Sequence, residues 1–186
     1  MAKLPGRGLA TAAILFVVDQ LIKWVVTGPM DLHMLGDVRE IVSFFNLRFV
    51  PNYGISLGLL TADSNASRWA LVAMTGAIAV AVAFWMTRER SPVDQMALGC
   101  VLGGALGNIV DRVRLGYVVD FADLHFGEWR PFLVFNVADA AICVGVTGLV
   151  IDQLFFAKSD DKVDEDSESL NEQTTISERN SSPEVE

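Results

Sequence analysis

Two aspartates and a group of amides within one short stretch carry the chemistry open to this chain. Residues 103–139 read GGALGNIVDRVRLGYVVDFADLHFGEWRPFLVFNVAD and hold Asn108, Asp111, Arg112, Asp120, Asn136 and Asp139 among apolar neighbours. An ionisable group at membrane depth costs about 3 kcal/mol unless a partner or a function offsets it. Two carboxyl groups brought to one membrane edge cannot both ionise easily, so one keeps a proton while the other can accept one. The aspartates of this stretch offer the material for such a general acid–base pair. His33 and His125 are the only histidines, and neither they nor Cys100 and Cys143 fall at metal-ligand spacing. No metal and no cofactor are expected. The cysteines read as small buried packing residues.

The elements that must position these groups are membrane spans. The chain has 186 residues, of which 52% are hydrophobic, with a mean hydropathy of +0.39 despite a pI near 4.6. Those values conflict within a single soluble domain and agree once the chain is divided. Residues 157–186 contain ten acids and three bases, whereas the first 156 residues contain thirteen acids and eleven bases. The sequence therefore predicts a nearly neutral, apolar membrane domain over 1–156 and an acidic, disordered cytoplasmic tail over 157–186. Nothing is basic enough to suggest nucleic acid as a partner.

Four stretches are long and apolar enough to cross a bilayer as helices, at about 8–27, 68–87, 94–113 and 136–156. The first follows Lys3 and Arg7 as a signal peptide would, but it contains Asp19, Gln20 and Lys23 and no small-residue cleavage site follows it. It reads as a retained span. Basic residues before span one (Lys3, Arg7), between spans two and three (Arg88, Arg90) and after span four (Lys158) place both termini in the cytoplasm. Trp24, Trp69 and Trp85 fall near span ends, as an aromatic belt requires. The outward region at about 28–67 contains the β-branched and aromatic run Ile41–Val50, followed by a turn at Pro51-Asn52-Tyr53-Gly54. The expected fold is thus a membrane all-α architecture of four transmembrane helices with a short outward-facing β-sheet at the membrane surface.

This topology collects polar groups at one leaflet. Asp19 and Lys23 lie towards the outer end of span one, Asn108, Asp111 and Arg112 in the outer half of span three, and Asn136 and Asp139 at the outer start of span four. Asp19 and Lys23 are one helical turn apart and can neutralise each other; Asn108 and Arg112 share a face in the same way. Gly99, Gly103 and Gly107, echoed by Ala141 and Gly145, form small-residue ridges that let helices approach closely. Simpler structural roles stand beside the functional ones. Asp19 and Lys23 can form a structural ion pair with Lys23 snorkelling outward, and Arg112 can be an interface anchor. Asn136 can be a helix N-cap and Asp139 a first-turn acid favoured by the helix dipole. Asp111, Asp123 and Glu128 read as structural.

The run from Gly103 to Phe121, followed by Phe135 to Asp139, resembles lipoprotein signal peptidase, also called signal peptidase II. The family pattern is approximately G-G-A-x-G-N-x-x-D-R-x-x-x-G-x-V-x-D-F and then F-N-x-A-D, and every fixed position is met. Asp19-Gln20-x-x-Lys23 is similar to the family's first-span signature and Asn52-x-Gly54 to its outer-loop signature. Ile55-Ser56-Leu57 stands where Ala-Ala-Phe is commoner, and Leu133 where proline is frequent. The acidic tail has no counterpart in the family core.

The resemblance implies a membrane-embedded aspartyl endopeptidase of the bacterial inner membrane, with its site at the outer leaflet. Such an enzyme releases the signal peptide of diacylglyceryl-modified prolipoproteins by cutting before the lipidated cysteine. It implies Asp120 and Asp139 as the catalytic pair, with Asp19, Lys23, Asn52, Gly54, Asn108, Arg112 and Asn136 supporting the pair or binding substrate. Lipid-modified prolipoproteins and membrane lipid are the implied partners, and one chain supplies the whole site, so a monomer is expected. Three other readings are weaker, and a non-enzymatic four-helix scaffold leaves the one-sided polar cluster unexplained. Gly54-Ile55-Ser56-Leu57-Gly58 spells a serine-nucleophile elbow, but that motif requires an α/β sheet this chain cannot supply. A small proton- or ion-translocating protein would carry polar groups at mid-membrane or on both sides.

Overall fold

A computed structural model describes residues 4–54 and 65–155. It contains four helices and three strands: α1 (Gly6–Thr27), β1 (Val38–Val42), β2 (Phe45–Asn52), α2 (Asn65–Arg88), α3 (Pro92–Arg114), β3 (Val118–Leu124) and α4 (Val137–Phe155). All four helices have the length and composition to cross a membrane. The chain divides into two compact units, residues 1–147 and 148–186. The described part of the second is the final stretch of α4. The acidic tail lies outside the described residues, as does the serine-elbow reading beyond Gly54.

The first unit is built on α3. Of its apolar window 44% is buried, against 17–22% in the other three helices, whose remaining surface is left for lipid. The sequence makes this possible because α3 has glycine on two faces. A Cβ added at Gly103 would sit 2.6 Å from the carbonyl oxygen of Ala12, and one at Gly99 would meet the backbone of Gly8. On another face, Gly104 lies against the backbone of Ala138 in α4. Removing side chains brings backbones together where apolar surface alone gives no drive, since lipid tails are as apolar as leucine. Local signals set the start of α3: Pro92 occupies its first turn and the Ser91 hydroxyl accepts a hydrogen bond from the Asp94 N–H.

The strands form one antiparallel sheet in the order β1-β2-β3. The expected hairpin around Ile41–Val50 is present as β1 and β2. The third strand lies beyond the expected 28–67 region, in the connection between α3 and α4, where no strand is expected from the sequence. Nearly every residue of β3 is buried, so it lacks the alternation that marks a half-exposed strand. Its register places Asp120 opposite Val50 and Val118 opposite Asn52. Val26 and Leu32, at and beyond the end of α1, pack with Phe49, Val119, Phe121 and Ala122 into the core that seats the sheet on the helices. One further expectation is corrected. Cys143 is exposed on α4 and Cys100 is half-buried, so neither is a fully packed core thiol. A lipid-facing position explains Cys143, because bilayer provides the apolar surroundings that a protein core would otherwise supply.

Candidate active site

The nine site residues expected from the sequence converge at one end of the first unit, on five separate elements. Asp19 and Lys23 come from α1, Asn52 and Gly54 from the end of β2, Asn108 and Arg112 from α3, and Asp120 from β3. Asn136 and Asp139 open α4. All but Gly54 and Asp139 either are buried or donate directly to a buried carboxylate.

Each central carboxylate accepts two N–H groups. Asp120 accepts from Asn52 Nδ2 at 3.0 Å and from Asn136 Nδ2 at 2.6 Å. Asp139 accepts from Asn108 Nδ2 at 2.9 Å and from the backbone N–H of Asn136 at 3.2 Å. In return the Asp139 N–H donates to Asn136 Oδ1 at 2.9 Å. These last two bonds form a reciprocal capping box, with Asn136 at the N-cap and the acid three residues on. The structural roles considered for Asn136 and Asp139 are therefore both occupied, and both residues still face the site. One constraint serves two purposes.

The amide orientations follow from a cation behind them. Lys23 has only donors, and its Nζ lies 3.3 Å from Asn108 Oδ1, which turns Asn108 Nδ2 towards Asp139. Asn136 Nδ2 also reaches Asn108 Oδ1 at 3.3 Å. Lys23 itself is pinned between Asp19 Oδ2 at 2.8 Å and Asp111 Oδ2 at 2.7 Å. It is buried, so it does not snorkel. Asp19 uses its other oxygen to accept from the Ala138 N–H at 2.9 Å, satisfying a free amide in the first turn of α4. Gly107 provides the space: a Cβ there would stand 2.6 Å from Asp19 Oδ2. Gly107→Ala should therefore lower stability by about 1–3 kcal/mol. Thermal unfolding in detergent measures this, and an unchanged midpoint would mean that Asp19 can swing aside.

Asn52 and Gly54 act as one unit. The Gly54 N–H donates to Asn52 Oδ1 at 3.1 Å, an Asx turn that leaves Asn52 Nδ2 free for Asp120. Arg112 closes this turn from α3, donating to Gly54 O and to Asn108 O, each at 3.4 Å. It is buried rather than an interface anchor. Its hydrogen bonds go to backbone carbonyls, not to either central carboxylate. Two residues outside the expected set complete the network. Asp111 accepts from Lys23, from Gln20 Nε2 at 2.9 Å and from the Val119 N–H at 3.2 Å, tying α1, α3 and β3 together. The signal for both lay in the motifs, since Gln20 follows Asp19 and Asp111 precedes Arg112. Asp123, read as structural from the sequence, pairs with Arg48 and Arg130.

Asp120, Asp139, Asn52, Asn108 and Arg112 line one cavity of about 490 Å³, walled on its apolar sides by residues such as Ile78, Val101, Leu133 and Ile142. Burial, and then the nearby Asp139 charge, push the Asp120 carboxyl up to about 7. The hydrogen bonds from Asn52 and Asn136 and the charge of Lys23 pull the other way. Among the described residues no group of three or more His, Cys, Asp or Glu is arranged to hold a metal ion. The arrangement can hold one proton near neutrality on a carboxyl beside a second carboxyl, in an open cavity with an apolar wall.

Fold and site together define a multi-pass membrane protein whose polar centre is built at the junction of its helices and a small sheet. The chain belongs to the signal peptidase II family, whose model matches residues 11–155. It is 54% identical over 157 residues to a lipoprotein signal peptidase of Sphingopyxis alaskensis, covering 84% of this chain and 90% of that one. A lipoprotein signal peptidase of Rhizorhabdus wittichii is 55% identical over 144 residues, covering 77% and 83% respectively. Two solved structures described as bacterial membrane enzymes superpose with a TM-score of 0.69 at 28% identity. They cover 80% and 81% of this chain, and 88% and 94% of their own.

Proposed function

We propose that this protein is an aspartyl endopeptidase of the bacterial inner membrane that removes the signal peptide from diacylglyceryl-modified prolipoproteins. The observation that carries the reading is the pairing of Asp120 and Asp139 on one cavity, each held by two N–H donors and neither, among the described residues, in a salt bridge. Family membership supplies the substrate class. Asp120, pushed up to about 7, holds the pair's proton in the resting enzyme and donates to the scissile carbonyl oxygen. Asp139 takes a proton from water as that water attacks the carbonyl carbon. Collapse of the tetrahedral intermediate breaks the C–N bond as one of its hydroxyls returns a proton to Asp120, and the proton taken up by Asp139 passes to the leaving nitrogen of the lipidated cysteine. Asn52, Asn108 and Asn136 orient the carboxylates, and Asp19, Lys23 and Arg112 hold the asparagines and the outer turn. The apolar wall of the cavity faces the signal peptide. The diacylglyceryl group stays in the outer leaflet, with both termini of the enzyme in the cytoplasm and one chain sufficient for activity.

Cleavage of a diacylglyceryl-modified prolipoprotein by purified protein in detergent tests this. Mass spectrometry should find the new N-terminus at the lipidated cysteine. The rate should follow a bell-shaped pH profile whose alkaline limb falls near pH 7, where Asp120 loses its proton. A rate that keeps climbing above that limb would remove Asp120 from the acid role. A proton- or ion-carrying function is less well supported, because the buried charges cluster at one end of the helices. Ser56→Ala should leave cleavage largely intact, separating aspartyl from serine chemistry.

A further inference from the structure

A second cavity in the first unit lies away from the site described above. It has a volume of about 850 Å³ and lies where α1 and α3 begin and α2 ends. Asp19 is twelve residues along α1 from Arg7, and Asn108 thirteen along α3 from Gln95, so roughly 20 Å of helix separates this cavity from the carboxylates. Arg7, Arg88 and Arg90 all line it. Among the described residues none of the three makes a salt bridge, and the guanidinium of Arg88 instead lies 4.5 Å above the ring of Phe84.

The single acid in the lining is already engaged. Glu89 Oε1 accepts from the Arg90 N–H at 2.6 Å and from the Ser91 N–H at 2.9 Å, and Gln95 Nε2 donates to the Glu89 carbonyl at 3.0 Å. Glu89 thus shapes the loop between α2 and α3, and its fixed position leaves a net positive cavity. A topology rule requires basic residues on one side of the membrane and nothing more. It does not require residues from two distant parts of the chain to face one hollow without a salt-bridge partner among the described residues.

We propose that this cavity binds the phosphate headgroup of an anionic phospholipid. It opens where membrane-spanning helices end, which is the depth of the headgroup layer. Arginine forks match phosphate oxygens. Basic hollows between spanning helices recur as sites for acidic headgroups. The acyl chains would run down the exposed apolar surfaces of α1 and α2, which carry Leu9, Phe84 and Val80 outward.

Native mass spectrometry of the full chain in detergent, titrated with cardiolipin, phosphatidylglycerol or phosphatidylcholine, tests the proposal. The two anionic lipids should bind at least tenfold more tightly than the zwitterionic one. The triple variant Arg7→Gln/Arg88→Gln/Arg90→Gln should lose about a hundredfold of that affinity, and Arg90→Gln alone about fivefold. Arg130→Gln, an arginine outside the cavity, should change nothing. Should the triple variant fail to fold, the single variant still decides the matter. Equal binding of all three lipids, or unchanged affinity in Arg90→Gln, would overturn the proposal. Displacement of bound lipid by millimolar inorganic phosphate would overturn it too, by making the cavity a site for soluble anions.

Discussion

Asp120→Asn and Asp139→Asn should each lower prolipoprotein cleavage by about a thousandfold or more, while leaving the protein folded. Each substitution is nearly isosteric but removes one half of a proton exchange. Under the proposed mechanism the water would lack its base in Asp139→Asn, and the scissile oxygen would lack its acid in Asp120→Asn. The two variants should separate in stability. The carboxyl of Asp120 rests at about 7 in the folded protein against 3.8 ordinarily, so the folded state holds its proton more tightly than the unfolded chain. Its burial is without penalty below about pH 4, where both states are protonated, and stability falls as pH rises through about 7. Asparagine has no charge to bury. Asp120→Asn should therefore be more stable than the parent near pH 8 by about 1–4 kcal/mol and indistinguishable from it near pH 4. Asp139→Asn is expected to behave differently, since its oxygens also accept from the Asn136 N–H and an amide nitrogen placed there would break the helix cap. Single-turnover assays and melting curves at the two pH values measure both effects. Cleavage within tenfold of the parent in either variant would sink the assignment of the pair.

The second large effect is expected at Lys23. Lys23→Met should destabilise the protein by about 3–5 kcal/mol, because it leaves Asp19 and Asp111 buried without their shared cation. The loss comes from the uncompensated charges rather than from the value of the ion pairs, so a second substitution distinguishes the two. Lys23→Met/Asp111→Asn should recover part of the stability while leaving cleavage impaired, since Asn108 would no longer be turned towards Asp139. Unfolding midpoints in detergent report the first effect and kcat the second. A single-variant loss below about 1 kcal/mol would show that Lys23 is not what ties α1 to α3.

Most of this architecture could be read from the sequence, for reasons specific to membranes. The expected spans at 8–27, 68–87 and 94–113 compare with helices at Gly6–Thr27, Asn65–Arg88 and Pro92–Arg114. Bilayer thickness sets a length, and the absence of water in lipid forbids unpaired backbone, so hydropathy locates such helices well. The glycine spacing pointed to close helix contact, and the structure brings Gly103 against Ala12 in α1 and Gly104 against Ala138 in α4. What stayed hidden was β3. A strand buried on nearly all its residues shows no period of two, and Val118-Val119 next to Asp120 looks like a connector that happens to contain an acid. The shared role of Asp111 was equally hidden, since nothing in a linear pattern says that Lys23, nearly ninety residues earlier, will divide its charge between two helices. Nor does the sequence say that Asn136 can cap α4 through its Oδ1 and reach Asp120 through its Nδ2 at the same time.

The way α4 begins has a consequence for biogenesis. Two of the amides in its first turn are satisfied, one by its N-cap Asn136 and the other by Asp19, more than a hundred residues earlier in α1. Insertion proceeds from the N-terminus, so the first helix must be seated and its lysine neutralised before the last helix has its anchor. Asp139 arrives with that last helix. The carboxylate pair is thus complete only once α4 is in place, and a chain that stops before α4 carries Asp120 with its Asn52 donor but no Asp139.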